Sequence, residues 1–139
     1  KYLDHDDRPH IYVVTGDGEL DEGNIWEAAL FVGKNQLNNL TVFVDRNTIQ
    51  LSGKTEDIMP LEPLADKWAS FGFTVESIDG NDPAAILATL GETRNSNRPV
   101  AILANTIPAK GVSFMEGDYH WHGKTPNAEQ AAEALKELA

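Results

Sequence analysis

Ile11-Tyr12-Val13-Val14-Thr15-Gly16-Asp17-Gly18 decides the fold: a β-branched and aromatic run closed by two glycines around an acid, the pattern of a buried strand ending in a tight turn. Thr41-Val42-Phe43-Val44-Asp45 repeats it, again closed by polar residues. Between them, Asp21 to Leu37 opens on two acids and carries Ile25, Ala28, Ala29 and Val32 on one stripe, with Trp26 and Leu30 on another. The spacing predicts a helix apolar on two faces, one to cover a sheet and one to be buried by another domain or chain. Strand, helix and strand in this order form a βαβ unit with parallel strands and a right-handed crossover.

The alternation continues outward. Leu61, Leu64, Ala65, Trp68 and Phe71 sit at helical spacing over Pro60 to Phe71, and Phe73 to Ile78 reads as a strand. Asp82-Pro83 is an N-cap followed by proline at the first helical position, opening a helix through Ile86, Leu87 and Leu90. Pro99 to Asn105 is a buried strand, Pro108 to Pro126 an aperiodic loop of a length that is usually functional, and Asn127 with Gln130 caps a last amphipathic helix. The expected architecture is α/β: a mainly parallel sheet with helices on both faces, in a single domain spanning residues 1–139.

Composition narrows the function. The 139 residues carry 11 basic against 22 acidic side chains, a net charge of −11 that disfavours nucleic acid and anionic lipid as partners. The absence of cysteine excludes thiolate metal sites, disulfides and thiol nucleophiles. No apolar run approaches the roughly 18 residues of a membrane span, so a soluble, cytoplasmic protein is expected. Residue 1 is Lys, as in a processed piece or a fragment of a longer chain.

Ligands of parallel sheets bind outside the carboxyl ends of the strands, where Gly16-Asp17-Gly18 and Asp45-Arg46-Asn47 both fall. A carboxylate, a side-chain amide and a carbonyl such as that of Ile49 make an incomplete set of hard oxygen donors, suited to Mg²⁺ or Ca²⁺ with phosphate oxygens and water completing the shell. The competing reading makes Asp17 a local cap of the strand-to-helix turn. A dinucleotide fingerprint fails because Asp21 stands where its third glycine belongs, and a calcium loop fails at Glu22 and Ala28. His120-Trp121-His122 alternates like a zinc pair but lacks a third ligand of suitable spacing. Trp26 and Trp68 read as core or interface, Glu19 and Glu22 as dipole-favoured acids, Asp79-Gly80-Asn81-Asp82 as a turn, and Lys110-Gly111 as either a phosphate-facing loop or a solvated turn.

These blocks resemble the transketolase family. Gly16-Asp17-Gly18-Glu19 followed thirty positions on by Asn47 is similar to its thiamine-diphosphate motif. Glu22-Gly23-x-x-Trp26-Glu27-Ala28-Ala29, Gly53-Lys54-Thr55-Glu56-Asp57, Gly111-Val112-Ser113-Phe114-Met115-Glu116 and Trp121-His122-Gly123-Lys124-x-Pro126 extend the likeness over nearly the whole chain, most of all to the N-terminal subunit of split transketolases. The resemblance implies the later portion of a diphosphate-binding domain, with Asp17, Asn47 and the Ile49 carbonyl on Mg²⁺ (or Ca²⁺), Gly18 and Glu19 at the diphosphate, and His122 at both cofactor and reacting centre. Glu22 matches a glutamate linking active sites across a dimer. The implied activity is two-carbon ketol transfer between sugar phosphates in the pentose phosphate pathway. It would require missing upstream segments and a C-terminal partner carrying the pyrimidine-binding domain, in a homo- or hetero-oligomer, so the isolated chain should be inactive. Asn81 departs from the family's usual histidine. The alternatives are the E1 component of a 2-oxo-acid dehydrogenase, which the Trp-His-Gly-Lys block disfavours, and a non-catalytic assembly module.

Overall fold

The computed structural model describes residues 9–139. Four parallel strands form the sheet in the order β1-β2-β6-β5: β1 (Ile11–Gly16), β2 (Leu40–Arg46), β5 (Thr74–Asp79) and β6 (Val100–Asn105). Two short strands, β3 (Ile49–Gln50) and β4 (Gly53–Lys54), make a separate antiparallel hairpin that leads into the single turn of α2 (Thr55–Ile58). The remaining helices are α1 (Gly23–Asn35), α3 (Leu64–Ser70), α4 (Pro83–Thr93) and α5 (Ala128–Glu137).

Side-chain alternation along the strands divides the core. Val42 and Val44 of β2 with Ala101 and Leu103 of β6 face α1 and α3, where Ala29, Val32, Leu64 and Trp68 close over them. Val100 and Ile102 point the other way and are fully buried, with α4 packed along β5 and its Thr89 and Thr93 turned inward. Helices thus serve both faces. Trp68, 1% exposed, packs edge-on to Phe73 and lies 5.4 Å from Trp26, which in turn stacks on Phe71. Trp68 is a core residue, and Trp26, partly buried, packs against the core. Trp26 therefore belongs to the inner stripe of α1, and the outer stripe consists of Leu30 and Phe31, both more than half exposed.

The helix read from Asp21 begins two residues later. Asp17 caps a separate 3-10 turn, Gly18–Asp21, through the amide of Gly18, and α1 starts at Gly23. At the other end Gln36 adopts the left-handed conformation and stops the helix. Both later caps form as read: the Asp82 carboxylate accepts from the amide of Ala84 with Pro83 in the first turn, and Asn127 and Gln130 close a reciprocal capping box. The 108–126 segment is a chain of turns with one 3-10 turn, Tyr119–Trp121. No helix among the described residues is long and apolar enough to cross a membrane.

Candidate functional site

Parallel pairing of β1 with β2 sets Gly16 beside Asp45, so Asp17 and Asn47 leave adjacent strand ends on the carboxyl edge of the sheet. Asp17 is 1% exposed. Its Oδ1 accepts from the Gly18 amide at 2.8 Å, while Oδ2 accepts from the Thr48 amide at 2.7 Å and from Arg46 Nη1 at 2.8 Å. Both readings of Asp17 hold at once: one oxygen caps the turn, and the other clamps the neighbouring strand end. Thr48 takes a positive φ of 65°, which turns the chain back into β3, and Asn47 Oδ1 accepts from the Ile49 amide at 3.0 Å to hold that turn. Asn47 Nδ2 donates to Asp45, whose other oxygen accepts from the Thr106 hydroxyl.

These turns wall an open cleft of about 420 Å³, lined by Gly16 to Glu19, Asn47, Ile49 to Ser52 and His122. That volume lies within the usual range for small-molecule sites. His122 comes from the far end of the sequence. Its loop is pinned by Trp121, whose Nε1 donates to the Phe114 carbonyl at 3.0 Å and whose ring meets Phe114 edge-on and carries Lys124 over its face. Gly123 lies so close to Leu51 of the hairpin that a Cβ there would come within 2.8 Å of it. His120 turns away to Asp118 at 2.6 Å, and this pairing holds the Asp118 carboxyl below its ordinary pKa, the His120 amide contributing most. The histidine pair therefore diverges, and among the described residues no group of three or more His, Asp or Glu side chains could cage a metal.

The cleft thus collects Asp17, Gly18, Glu19, Asn47, Ile49 and His122. Glu22 lies outside it, exposed at the start of α1 with no side-chain cap bond, whereas the Glu19 carboxylate accepts from the Gly16 amide at 3.2 Å. Lys110 lines a different depression, beside Asp79 and Asn105. Asn81 Oδ1 accepts from the Ile107 amide at 2.7 Å, tying the turn after β5 to the segment after β6.

Two residues at the site were given no role by the sequence. Arg46, 6% exposed, ties Asp17 to Thr55, Glu56 and Glu62. Burial works against its charge, but the hydrogen bonds to Asp17, Glu62 and Glu56 outweigh it and raise its pKa. Partial burial likewise opposes the Glu56 carboxylate, yet the Leu61 amide and Arg46 bring its pKa below the ordinary value. Gln50, at the cleft wall, has a buried Nε2 without a partner.

The donor set fits a cation-bound diphosphate. Asp17 Oδ1 and Asn47 Oδ1 each keep a lone pair after their local bonds, and both are hard oxygens. Gly18 leaves the backbone open to close approach, because a Cβ there would reach 3.3 Å from Gln50.

Sheet, edge cleft and oxygen donors together define an α/β ligand-binding domain of the kind that places its site at parallel strand ends. Residues 3–139 match the family described as "Transketolase, thiamine diphosphate binding domain", and the chain belongs to that family. It is 44% identical to an apulose-4-phosphate transketolase subunit from Actinobacillus succinogenes over 92% of this chain and 46% of that protein. It is 45% identical to the 6-deoxy-6-sulfo-D-fructose transketolase subunit SqwG of a Clostridium species over 92% and 47%. The chain thus spans about half the length of the curated relatives it matches. The crystal structure of transketolase from Campylobacter jejuni superposes with a TM-score of 0.87 at 32% identity, over 93% of this chain and 20% of that one.

Proposed function

We propose that this chain is the later portion of the diphosphate-binding domain of a transketolase that transfers a two-carbon ketol unit, with its active site completed by other segments and a partner subunit. The observation that carries this reading is the convergence of Asp17, Asn47, Ile49 and His122 on one cleft at the carboxyl edge of the sheet. Asp17, Asn47 and the Ile49 carbonyl would hold Mg²⁺ against a diphosphate, with Gly18 and Glu19 beside it. Thiamine diphosphate, when bound, supplies the nucleophilic carbon and the electron sink that ketol transfer needs. His122, which lines the same cleft, would hold or move a proton at the substrate. Glu22, exposed on the helix that also exposes Leu30 and Phe31, would reach toward a second site across a dimer interface.

The relatives named for a sugar phosphate and a sulfo-sugar support a substrate that bears an anionic group. Sugar phosphates, as in the pentose phosphate pathway, and a cytoplasmic setting follow from the same reading. The isolated chain would be inactive, because holding the cofactor's other end takes the remaining half of the relatives' length together with a partner subunit. Calorimetric titration of the assembled enzyme with thiamine diphosphate, with and without Mg²⁺, tests this directly. Cation-dependent binding together with ketol transfer supports the reading, and an assembled enzyme that binds no thiamine diphosphate refutes it.

A further inference from the structure

Leu20 ends the turn that forms one wall of the cleft, and its carbonyl lies between two helices without belonging to either ladder. Its side chain is buried in the core, which fixes where the residue sits but not which way its carbonyl points. The turn's own amides serve other carbonyls: Leu20 donates to Asp17 at 3.0 Å and Glu22 to Glu19 at 3.1 Å. Helix α1 begins only at Gly23, and its Ile25 amide goes to the Glu22 carbonyl. The Leu20 carbonyl instead accepts from Trp26 Nε1 at 2.7 Å, a side chain six residues further on.

An indole suits this position, with an apolar body and a single N–H. The ring packs 5.4 Å from Trp68 and stacks on Phe71 at 5.9 Å, while the N–H reaches the turn. Trp68 is the contrast: its Nε1 is buried without a partner among the described residues, so packing alone accounts for it. Without the Trp26 donor, the Leu20 carbonyl could be satisfied only by swinging toward water. That motion turns the Leu20–Asp21 peptide and draws the Glu22 amide off the Glu19 carbonyl. It thereby frees the peptide of Glu19, which with Gly18 lines the cleft.

We propose that Trp26 is a positioning residue for the cofactor seat: by holding the Leu20 carbonyl it keeps the Gly18–Glu19 wall in its binding shape before a ligand arrives. Trp26 does not itself line the cleft and acts only through the turn. The inference rests on the reading that this wall seats the diphosphate of thiamine diphosphate. A wall that holds its binding shape only part of the time lowers the apparent affinity by that fraction, so loss of the indole donor is read as weaker binding and not merely as lower stability.

The test is calorimetric binding of thiamine diphosphate to the assembled enzyme at saturating Mg²⁺, with urea unfolding alongside, for the unaltered protein, Trp26→Phe and Trp68→Phe. Phenylalanine keeps an apolar ring and has no N–H. Trp26→Phe should lose about 3–10-fold in affinity, the fold-change that one net hydrogen bond represents. Trp68→Phe removes core volume and a donor that nothing uses, so it should lower the urea midpoint at least as far while affinity stays within about 2-fold. Equal affinity losses in the two variants would mean that binding follows core packing and would overturn the inference, as would unchanged affinity in Trp26→Phe. If Trp26→Phe does not assemble, benzothienylalanine in place of Trp26 keeps the tryptophan shape with sulfur where the N–H stood. It should show the same loss, and binding at the unaltered level overturns the inference. An unaltered enzyme that binds no thiamine diphosphate overturns the reading of the cleft, and this inference with it, whatever the variants do.

Discussion

Replacing Asp17 by Asn separates its two roles. Asp17 accepts three hydrogen bonds, two on Oδ2 and one on Oδ1. An amide has one acceptor oxygen, which sits best at the Oδ2 position, keeping the bonds from Arg46 and the Thr48 amide. Its NH₂ then faces the Gly18 N–H, donor against donor, and the same NH₂ points hydrogens at the place where a cation would lie. Loss of one charge-assisted bond costs about 1.5–3 kcal/mol, against a total stability of about 5–15 kcal/mol, so the variant should fold. Alanine would be a poorer probe, since stripping the partner from a buried guanidinium costs about 3–5 kcal/mol. In binding, Asp17→Asn should lose at least about 100-fold of cation-supported thiamine diphosphate affinity, the upper end for residues that merely support a ligand. Urea unfolding followed by tryptophan fluorescence measures the first effect and calorimetry the second. A folded Asp17→Asn enzyme that binds Mg²⁺ and thiamine diphosphate as tightly as the unaltered one would refute the donor set built here.

Three other substitutions probe different levels. His122→Ala should reduce kcat far more than cofactor affinity; steady-state kinetics and titration showing the reverse would remove it from the reacting centre. Gly33→Ala would place a methyl 1.8 Å from the Phe71 carbonyl oxygen, a backbone atom that cannot rotate away. Even after the roughly 1 kcal/mol that alanine gains over glycine in a helix, a net loss of about 1–3 kcal/mol is expected from overpacking. An unchanged urea midpoint would contradict that contact. His10 lies 2.9 Å from the Thr41 hydroxyl, and burial, with Arg94 adding to it, lowers its pKa from 6.5. The unfolded chain then takes up a proton at higher pH than the folded one, so stability should decline as pH falls below about 6.5 and level off once the folded imidazole is also protonated. His10→Gln should flatten that part of the stability curve, and an equally steep curve would exclude His10 as its source.

What could be read from the sequence was what is decided locally. Periodicity located the four sheet strands, and the caps at Asp82 and Asn127 formed as read because each needs only a side chain and an amide two or three residues on. The start of α1 was misplaced because Asp21 and Glu22 satisfy the same dipole preference whether the turn is 3-10 or α. The β3–β4 hairpin left no trace, since two-residue strands have no period to detect. Arg46 was hidden for a different reason: a charged residue after a strand reads as solvated, and its partners at 17, 56 and 62 become neighbours only when the sheet and the hairpin are both in place. Asp17 and Asn47 were legible from strand ends alone. His122 was legible only through resemblance, because the Trp121 anchor that carries it to the cleft has no spacing rule.

The main-chain amides that hold Asp17 and Asn47 come from these two neighbouring strand-end turns, at Gly18, Thr48 and Ile49. Their oxygens are therefore fixed before anything binds. A ligand arriving here loses its own freedom but freezes little of the protein's, which preserves affinity that a looser seat would forfeit. On the proposed function, any slow step in loading the cofactor should then lie in assembly with the partner, and its rate should depend on subunit concentration more than on the chemistry of these two turns.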